Sequence, residues 1–173
     1  MEEQLKIDFE KILKISDLSK KDIELKKDHL NKFIESGFPS KKQENWKFLD
    51  LNQIIQKNIG ELSFYNDYSI TNKVDTSIFI DGLEHNKIIF VNGRLEKIDF
   101  INEDKNQIEI YDDVVVVDKF DDKNSLIDLN NAFRDKYYKI LVKKGYVTKK
   151  PLIIYHLTDE KMKSKSINLR LLV

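Results

Sequence analysis

The histidines, the side chains best suited to acid–base chemistry or metal binding, are few and scattered in this sequence. They are His29, His85 and His156, and none is spaced with a second histidine or a carboxylate as a metal site requires. His29 falls in a charged helical stretch and His85 in a turn, so we expect both to face solvent. His156 alternates with Leu152 and Ile154 on one strand face, which favours a core or interface position. We therefore predict no metal site.

Two pairs of adjacent acids are the other candidates for catalysis. Asp112 with Asp113, and Asp121 with Asp122, could supply the two carboxylates of a polysaccharide hydrolase. Adjacent residues on a strand point to opposite faces, and both pairs lie beside predicted strand ends, where loop solvation accounts for them. The sequence also lacks a phosphate-binding glycine loop, a nucleophile elbow and a dinucleotide fingerprint. We predict no catalytic residue and no enzyme activity.

Cysteine is absent, which excludes disulfides, a thiol nucleophile and ligation of an iron–sulfur cluster by this chain's own sulfur. The 30 basic and 30 acidic residues cancel, so no net charge draws the chain to nucleic acid or anionic lipid. Neither a signal peptide nor a bilayer-spanning run is present. We expect a cytoplasmic protein that binds no cofactor, no nucleic acid and no membrane.

Lysine clusters leave one alternative open. Doublets begin at Lys20, Lys41, Lys143 and Lys149, and a denser group lies at 161–165. Nucleic-acid binding would need these lysines on one face with aromatic side chains between them. Nearby acids match most of them, which favours solvated surfaces, and the group at 161–165 is predicted to be a loop. A lysine-rich nucleic-acid or protein interaction module is the alternative that they support.

Helical patterns dominate the first 60 residues. The apolar positions of residues 3–15 recur at helical spacing and predict a first amphipathic helix. A second helix should begin at Ser19, because Ser19 and Asp22 have the spacing of a capping box. It should end at Gly37, and Pro39 prevents its continuation. A short third helix is predicted at 51–56, after a cap at Asp50.

Strand patterns follow a connector at residues 63–77. The runs SIFI, KIIFV, QIEIY, VVVVD, YYKILV, YVT and PLIIYHLT are short and rich in β-branched and aromatic residues. Asn92 and Gly93 between two such runs predict a type I′ hairpin turn. One more helix is expected to begin at a Ser125 cap and to continue through Phe133. Helices followed by strands predict an α+β chain.

One segment, GFPSKKQENWKF, has a pattern of its own. Its residues of interest, with the leucine that follows, are Gly37, Pro39, Glu44, Trp46, Lys47, Phe48 and Leu51. The spacing predicts a helix stop, a rigid turn and an aromatic pair that fills a gap between helices. An exposed Trp46 would instead be a docking residue for a partner. We favour the core position, because an indole flanked by Phe48 and Leu51 would bury well, and on that basis Trp46→Ala would cost about 3–5 kcal/mol.

This pattern resembles the N-terminal signature of the SufB/SufD family of iron–sulfur cluster assembly proteins, and of its SufD members in particular. The shared features are a Gly-x-Pro turn, Glu-x-Trp-Lys with an aromatic residue, and a leucine. Residues 88–95 resemble the family's strand and hairpin, 128–158 the entry into its β-helix, and 167–173 the next rung. The chain departs from the family pattern at Leu49, Lys136 and Lys143, where the family has a small hydroxylated residue, a glycine and a proline.

The resemblance implies a fold of three parts. Residues 1–60 would form an N-terminal helical domain, 61–122 a connector and small β-rich section with a hairpin, and 123–173 a helix and the first rungs of a right-handed parallel β-helix. Family members continue much further, so the chain is expected to be truncated and to lack the partner-binding residues and any cluster ligands.

The resemblance also implies a function. The chain would be a SufD-like scaffold subunit that pairs with a SufB-like subunit and a SufC-like ATPase in the SUF complex, where the complex and not this chain handles the iron–sulfur cluster. The motif residues would be structural. A fragment of a β-helix carbohydrate-active enzyme is the alternative from the enzyme class.

Overall fold

A computed structural model describes residues 2–15, 18–59, 62–64, 76–113 and 124–173. The chain divides into two compact units, and it passes between them several times. The first unit comprises Met1–Asn66, Asp113–Tyr137 and Ser164–Arg170. The second comprises Asp67–Asp112, Tyr138–Lys163 and Leu171–Val173. The division into 1–60, 61–122 and 123–173 stays a prediction.

The described part of the first unit contains four α-helices. They are α1 (Glu2–Ile15), α2 (Lys20–Ser36), α3 (Leu51–Ile54) and α4 (Ser125–Phe133). One π-helical turn, Ile55–Ile59, follows α3 directly. Apolar side chains of the helices form one buried cluster, to which α1 contributes Leu5, Phe9 and Ile12, as their helical spacing predicts. The remaining buried members are Leu30, Phe33, Phe38, Ile55, Phe64, Leu129, Ala132 and Phe133.

The helix ends follow the predicted capping chemistry with one exception. The Ser19 hydroxyl accepts a hydrogen bond from the Asp22 N–H, and the Asp22 carboxylate accepts one from the Ser19 N–H, which completes a capping box. Asp50 caps α3 through the Gln53 N–H at 3.0 Å. The prediction of Ser125 as the cap of α4 is wrong by one residue, because the Asn124 side chain accepts from the Leu126 N–H and Ser125 begins the helix.

The described strands form two three-stranded sheets, which lie mostly in the second unit. The strands are β1 (Asn86–Val91), β2 (Arg94–Asp99), β3 (Ile108–Asp113), β4 (Tyr137–Val142), β5 (Leu152–Leu157) and β6 (Arg170–Leu172). Their orders are β2-β1-β5 and β3-β4-β6. β1 pairs antiparallel with β2 and parallel with β5. Asn92 and Gly93 join β1 to β2 with positive φ angles of 51° and 87°, which confirms the predicted hairpin.

The mixed α+β class is confirmed, and several finer predictions are not. In the described residues the sheets are small and do not show a parallel β-helix, so the predicted β-helix stays a prediction. SIFI starts in a 3₁₀ turn, Thr76–Ile78, and has no strand after it, and YVT is irregular, so the prediction of strands in both runs is wrong. Both runs are too short to hold a strand without pairing partners. The VVVVD run and most of the 63–77 connector lie outside the described residues.

Candidate interaction site at Gly37 to Leu51

The segment between α2 and α3 is a series of tight turns with a buried start. Gly37 ends α2 at φ 67°, a conformation that favours glycine, and its N–H donates to the Phe33 carbonyl at 2.7 Å. Phe38 and Pro39 are buried, and the Phe38 ring packs edge-on against Phe33 with centroids 5.0 Å apart. The predicted helix stop and rigid turn are therefore present and fixed to the core.

The second half of the segment turns outward. A 3₁₀ turn, Glu44–Trp46, presents Glu44 and Lys47 to solvent and leaves Trp46 half-buried. Phe48 is 89% exposed, and the ammonium of Lys47 lies 4.9 Å from the centre of its ring. The expectation that Trp46 and Phe48 fill a core gap is wrong for Phe48 and holds only in part for Trp46. Phe38 and Pro39 supply the buried contacts of the segment instead.

An apolar cavity of about 170 Å³ lies where this segment leaves and rejoins the helices. It opens to solvent, and its walls come from α1, α2, the start of the segment and α3. They are formed by Glu2, Leu5, Phe33, Ile34, Gly37, Phe38 and Asn52. Glu2 is exposed on the cavity wall, and a hydrogen bond from Lys6 at 2.6 Å lowers the pKa of its carboxyl. Sequence patterns do not reveal this cavity.

The three histidines, all within the described residues, do not form a shared site, and the expected solvent exposure of His29 and His85 needs correction. His29 is half-buried between α2 and α4, where its Nδ1 donates to the Asp128 carboxylate at 2.7 Å. His85 is buried, and both ring nitrogens have partners. Its Nδ1 donates to the Leu83 carbonyl, and its Nε2 accepts from the Tyr155 hydroxyl at 2.7 Å. Each is held by a partner distant in sequence or in a loop, which periodicity cannot show.

His156 is itself exposed, so the expected core position is wrong, and the interface position stays a prediction. Its ring stacks on the buried ring of Phe90 across the β1–β5 pair, with centroids 5.2 Å apart and planes 9° apart. The resulting partial burial lowers the pKa of His156. This stacking accounts for His156 without a ligand.

The acidic pairs give no catalytic arrangement in the described residues. Asp112 and Asp113 are both exposed at the end of β3. Asp121 and Asp122 lie outside the described residues. Among the described side chains, no group of three histidines or carboxylates is placed to hold a metal ion.

A buried carboxylate that sequence analysis missed organises the second unit. Asp104 is 0% exposed and accepts hydrogen bonds from the Asn86 amide, the Tyr146 hydroxyl, and the N–H groups of Lys149 and Lys150. Burial alone would raise the pKa of Asp104, but these bonds outweigh it and hold the pKa at about 2. The same contact raises the pKa of Tyr146 to about 12. The arrangement is fully bonded within the fold, so its role is structural.

Two further buried charges hold the first unit together. Asp8 on α1 accepts from the Ser63 hydroxyl and the Phe64 N–H, which fixes the 62–64 segment to the helix. Lys26 on α2 donates to the Ala132 and Arg134 carbonyls at 3.3 and 2.6 Å, at the end of α4. Burial lowers the pKa of Lys26 to about 8, and the Arg134 guanidinium contributes in the same direction. In the sequence, the available signal for the burial of Asp8 and Lys26 was a charged residue at a position that the helical pattern makes apolar.

The lysine clusters agree with solvated surfaces where they are described. Both members of the doublets at Lys20, Lys41 and Lys143 are exposed. Lys149 is exposed, and Lys150 pairs with Glu84 at 2.8 Å. The predicted loop at 161–165 contains part of a 3₁₀ turn, Glu160–Met162, and a positive φ at Ser164.

The described chain is therefore an α+β protein in which the Gly37–Leu51 segment lies beside an open cavity. No family model matches the chain. It is similar to the iron–sulfur cluster assembly protein SufD of Escherichia coli strain K12, with 24% identity over 133 residues. The aligned region covers 76% of this chain and 30% of that protein, so the chain spans less than a third of the length of this relative. The similarity supports a distant relationship of the SufB/SufD type. No helix among the described residues is long and apolar enough to cross a membrane.

Proposed function

We propose that this chain belongs to a subunit of an iron–sulfur cluster assembly complex and that it acts as a SufD-like scaffold. The observation that carries the proposal is the similarity to SufD along 133 residues. The motif from Gly37 to Leu51 points to the same family and is part of the same sequence similarity. The proposal assigns the cluster to the complex as its product and assigns this chain no catalytic group and no cofactor.

The partners in this proposal are a SufB-like subunit and a SufC-like ATPase. Both are contacted by parts of the family fold that follow the region matched here, so the proposal places their binding sites outside residues 1–173. In the same proposal, residues 123–173 lead into a right-handed parallel β-helix.

Cells of the native source that no longer produce this protein test the proposal, through the activity of enzymes that need an iron–sulfur cluster. Aconitase activity in the lysate should fall, because its cluster would no longer be supplied, whereas malate dehydrogenase, which has no cluster, should be unchanged. Addition of iron and sulfide under reducing conditions should restore aconitase activity, since the apoprotein is still present. Unchanged aconitase activity in cells with no second assembly system would contradict the proposal.

A further inference from the structure

Two dipeptides in this chain place a glycine directly after an aspartate or an asparagine. They are Asp81–Gly82, which precedes β1, and Asn92–Gly93, which joins β1 to β2. The peptide nitrogen that follows either side chain can attack the side-chain carbonyl carbon and close a five-membered succinimide ring. A following glycine favours this step, because it has no Cβ to block the approach and it adopts unusual backbone angles at little cost. Both dipeptides could therefore rearrange spontaneously to isoaspartate.

The fold leaves the reacting groups of Asp81–Gly82 open. Both residues are exposed in a turn, and Gly82 has φ 72° with open space where a Cβ would lie. Among the described residues, no hydrogen bond or ion pair engages the Asp81 carboxylate or the Gly82 N–H. Neither the attacking nitrogen nor the carbon that it attacks is held by a competing contact.

The contacts that hold this turn lie on either side of the dipeptide. The Ile80 N–H donates to the Tyr155 hydroxyl at 3.3 Å, and that hydroxyl donates to His85 Nε2 at 2.7 Å. His85 Nδ1 donates in turn to the Leu83 carbonyl. These bonds fix the loop to β5 and leave Asp81–Gly82 at its exposed tip. Loop tips tolerate changes that a paired strand does not.

The fold protects Asn92–Gly93, although the asparagine is the more reactive of the two in an unfolded peptide. Asn92 is 9% exposed, and its side-chain oxygen accepts from the Asp159 N–H at 3.1 Å. Its own N–H donates to the Leu157 carbonyl at 2.9 Å, and the two strands that flank the turn are paired. Ring closure would turn the side chain out of its hydrogen bond and distort the hairpin, so it requires local opening.

We propose that Asp81 is a site of spontaneous isoaspartate formation in the folded protein, and that the fold shields Asn92–Gly93 from the same reaction. In the first step a bond forms between the Gly82 nitrogen and Asp81 Cγ. One carboxylate oxygen leaves as water, which takes the N–H proton and one proton from solvent.

Hydrolysis of the ring completes the rearrangement. Water adds to the main-chain carbonyl carbon of Asp81, the bond from that carbon to the Gly82 nitrogen breaks, and a proton returns to solvent. The chain now runs through Cβ and Cγ of Asp81, and the former main-chain carbonyl is a free carboxylate. Because one water is lost and one is regained, the mass of the protein does not change.

The rearrangement alters the loop that leads into β1. It adds a methylene carbon to the backbone between Ile80 and His85, both of which bond the Tyr155 hydroxyl. The product carries the isoaspartyl carboxylate that isoaspartyl methyltransferases recognise. This inference is independent of the proposed function, because it uses only the second unit and requires no assembly partner.

Incubation of the folded 173-residue chain for several weeks, at physiological temperature and neutral pH, tests the proposal. The probe is an isoaspartyl methyltransferase with labelled S-adenosylmethionine, and peptide mapping locates the label. We expect label in the peptide that contains Asp81, whose mass before labelling is unchanged, and none in the peptide that contains Asn92. Asp81→Glu is the matched control: it keeps the charge and the glycine but would need a six-membered ring, so this peptide should lose its label.

The same incubation in concentrated guanidinium chloride separates protection by the fold from intrinsic reactivity. In the unfolded chain Asn92–Gly93 should become the faster site, which the gain in mass from amide to acid reports. Absence of isoaspartate at Asp81 in the folded chain, or label that persists in the same peptide of Asp81→Glu, would overturn the proposal. An Asn92 that reacts as fast in the folded chain as in the unfolded one would overturn it too.

Discussion

The side-chain amide of Asn86 donates a hydrogen bond of 2.7 Å to the carboxylate of Asp104, and both side chains are 0% exposed. Asn86 also donates to the Lys150 carbonyl and accepts from the Ile101 N–H. The pair thus joins the start of β1, the turn after β2 and the approach to β5. Buried polar groups are tolerated only when they are hydrogen-bonded, and here each group has its partners.

Replacement of Asp104 should reduce stability and remove an acid transition. The pKa of Asp104 is about 2 in the folded protein, below the value of about 4 for an unfolded aspartate. Its contribution is therefore complete above about pH 4 and is lost as the pH falls towards 2. Asp104→Asn should lower the melting temperature at pH 7, and the difference from the unmodified protein should shrink below pH 4.

The control for that experiment is Glu103→Gln. Glu103 is the exposed neighbour, and its side chain takes no part in the Asp104 hydrogen bonds. The control should melt as the unmodified protein does. A difference between the Asp104→Asn variant and the unmodified protein that stays constant from pH 7 to pH 2 would contradict the assignment.

The burial of Lys26 predicts pH dependence in the alkaline range. Its pKa is about 8 in the folded protein, below the usual value of about 10.4 for an unfolded lysine. The folded state therefore binds fewer protons between these values, and the contribution of Lys26 to stability grows as the pH rises from about 8 to 10.4. In urea unfolding, the free energy of unfolding of the unmodified protein should rise relative to that of Lys26→Met across this pH range.

The matched control for Lys26 is Lys27→Met, since Lys27 is exposed on the same helix. The difference in free energy of unfolding between Lys27→Met and the unmodified protein should not vary with pH in that range. Parallel curves for Lys26→Met and the unmodified protein would show that the Lys26 ammonium is not desolvated.

The burial pattern of the Gly37–Leu51 segment predicts that Phe38→Ala lowers the free energy of unfolding more than Trp46→Ala does. Phe38 is buried and packs on Phe33, so Phe38→Ala should cost about 3–5 kcal/mol. Trp46 is half-buried, so Trp46→Ala should cost only about 1–2 kcal/mol, less than the sequence alone predicted. Chemical unfolding of both variants measures the two values. A larger loss of stability for Trp46→Ala than for Phe38→Ala would contradict this prediction and would support the core position of Trp46 expected from the sequence.

The hairpin turn of β1 and β2 should depend on Asn92. This residue has φ 51°, and its side-chain oxygen accepts from the Asp159 N–H at 3.1 Å. Asn92→Ala should cost about 1–2 kcal/mol, because alanine is strained at that angle and the bond is lost. Asn102→Ala, in an exposed turn, should be near neutral in the same unfolding assay. Equal stability of the two variants would contradict this role for Asn92.

Local patterns predicted much of the fold because their physical causes are local. The capping box at Ser19, the stop at Gly37 and the turn at Asn92 depend on residues within four positions of each other. Strand pairing depends on residues far apart, so the parallel pairing of β1 with β5 could not be read from either run.

The candidate site was predicted less well than the fold. The motif correctly marked a rigid turn at Gly37 and Pro39, but spacing could not decide which aromatic residue is buried. The structure buries Phe38 and exposes Phe48, because Phe38 directly follows the helix stop and faces Phe33. The partners of His29, His85 and Asp104 come from long-range contacts, which a periodic pattern does not contain.

Capture of the native protein from its source cells, followed by mass spectrometry of everything retained, tests the proposed assembly role most directly. The account predicts that a SufB-like subunit and a SufC-like ATPase are retained with it, in a polypeptide much heavier than 20.5 kDa that contains this sequence. A polypeptide close to 20.5 kDa, retained without either partner, would contradict the account.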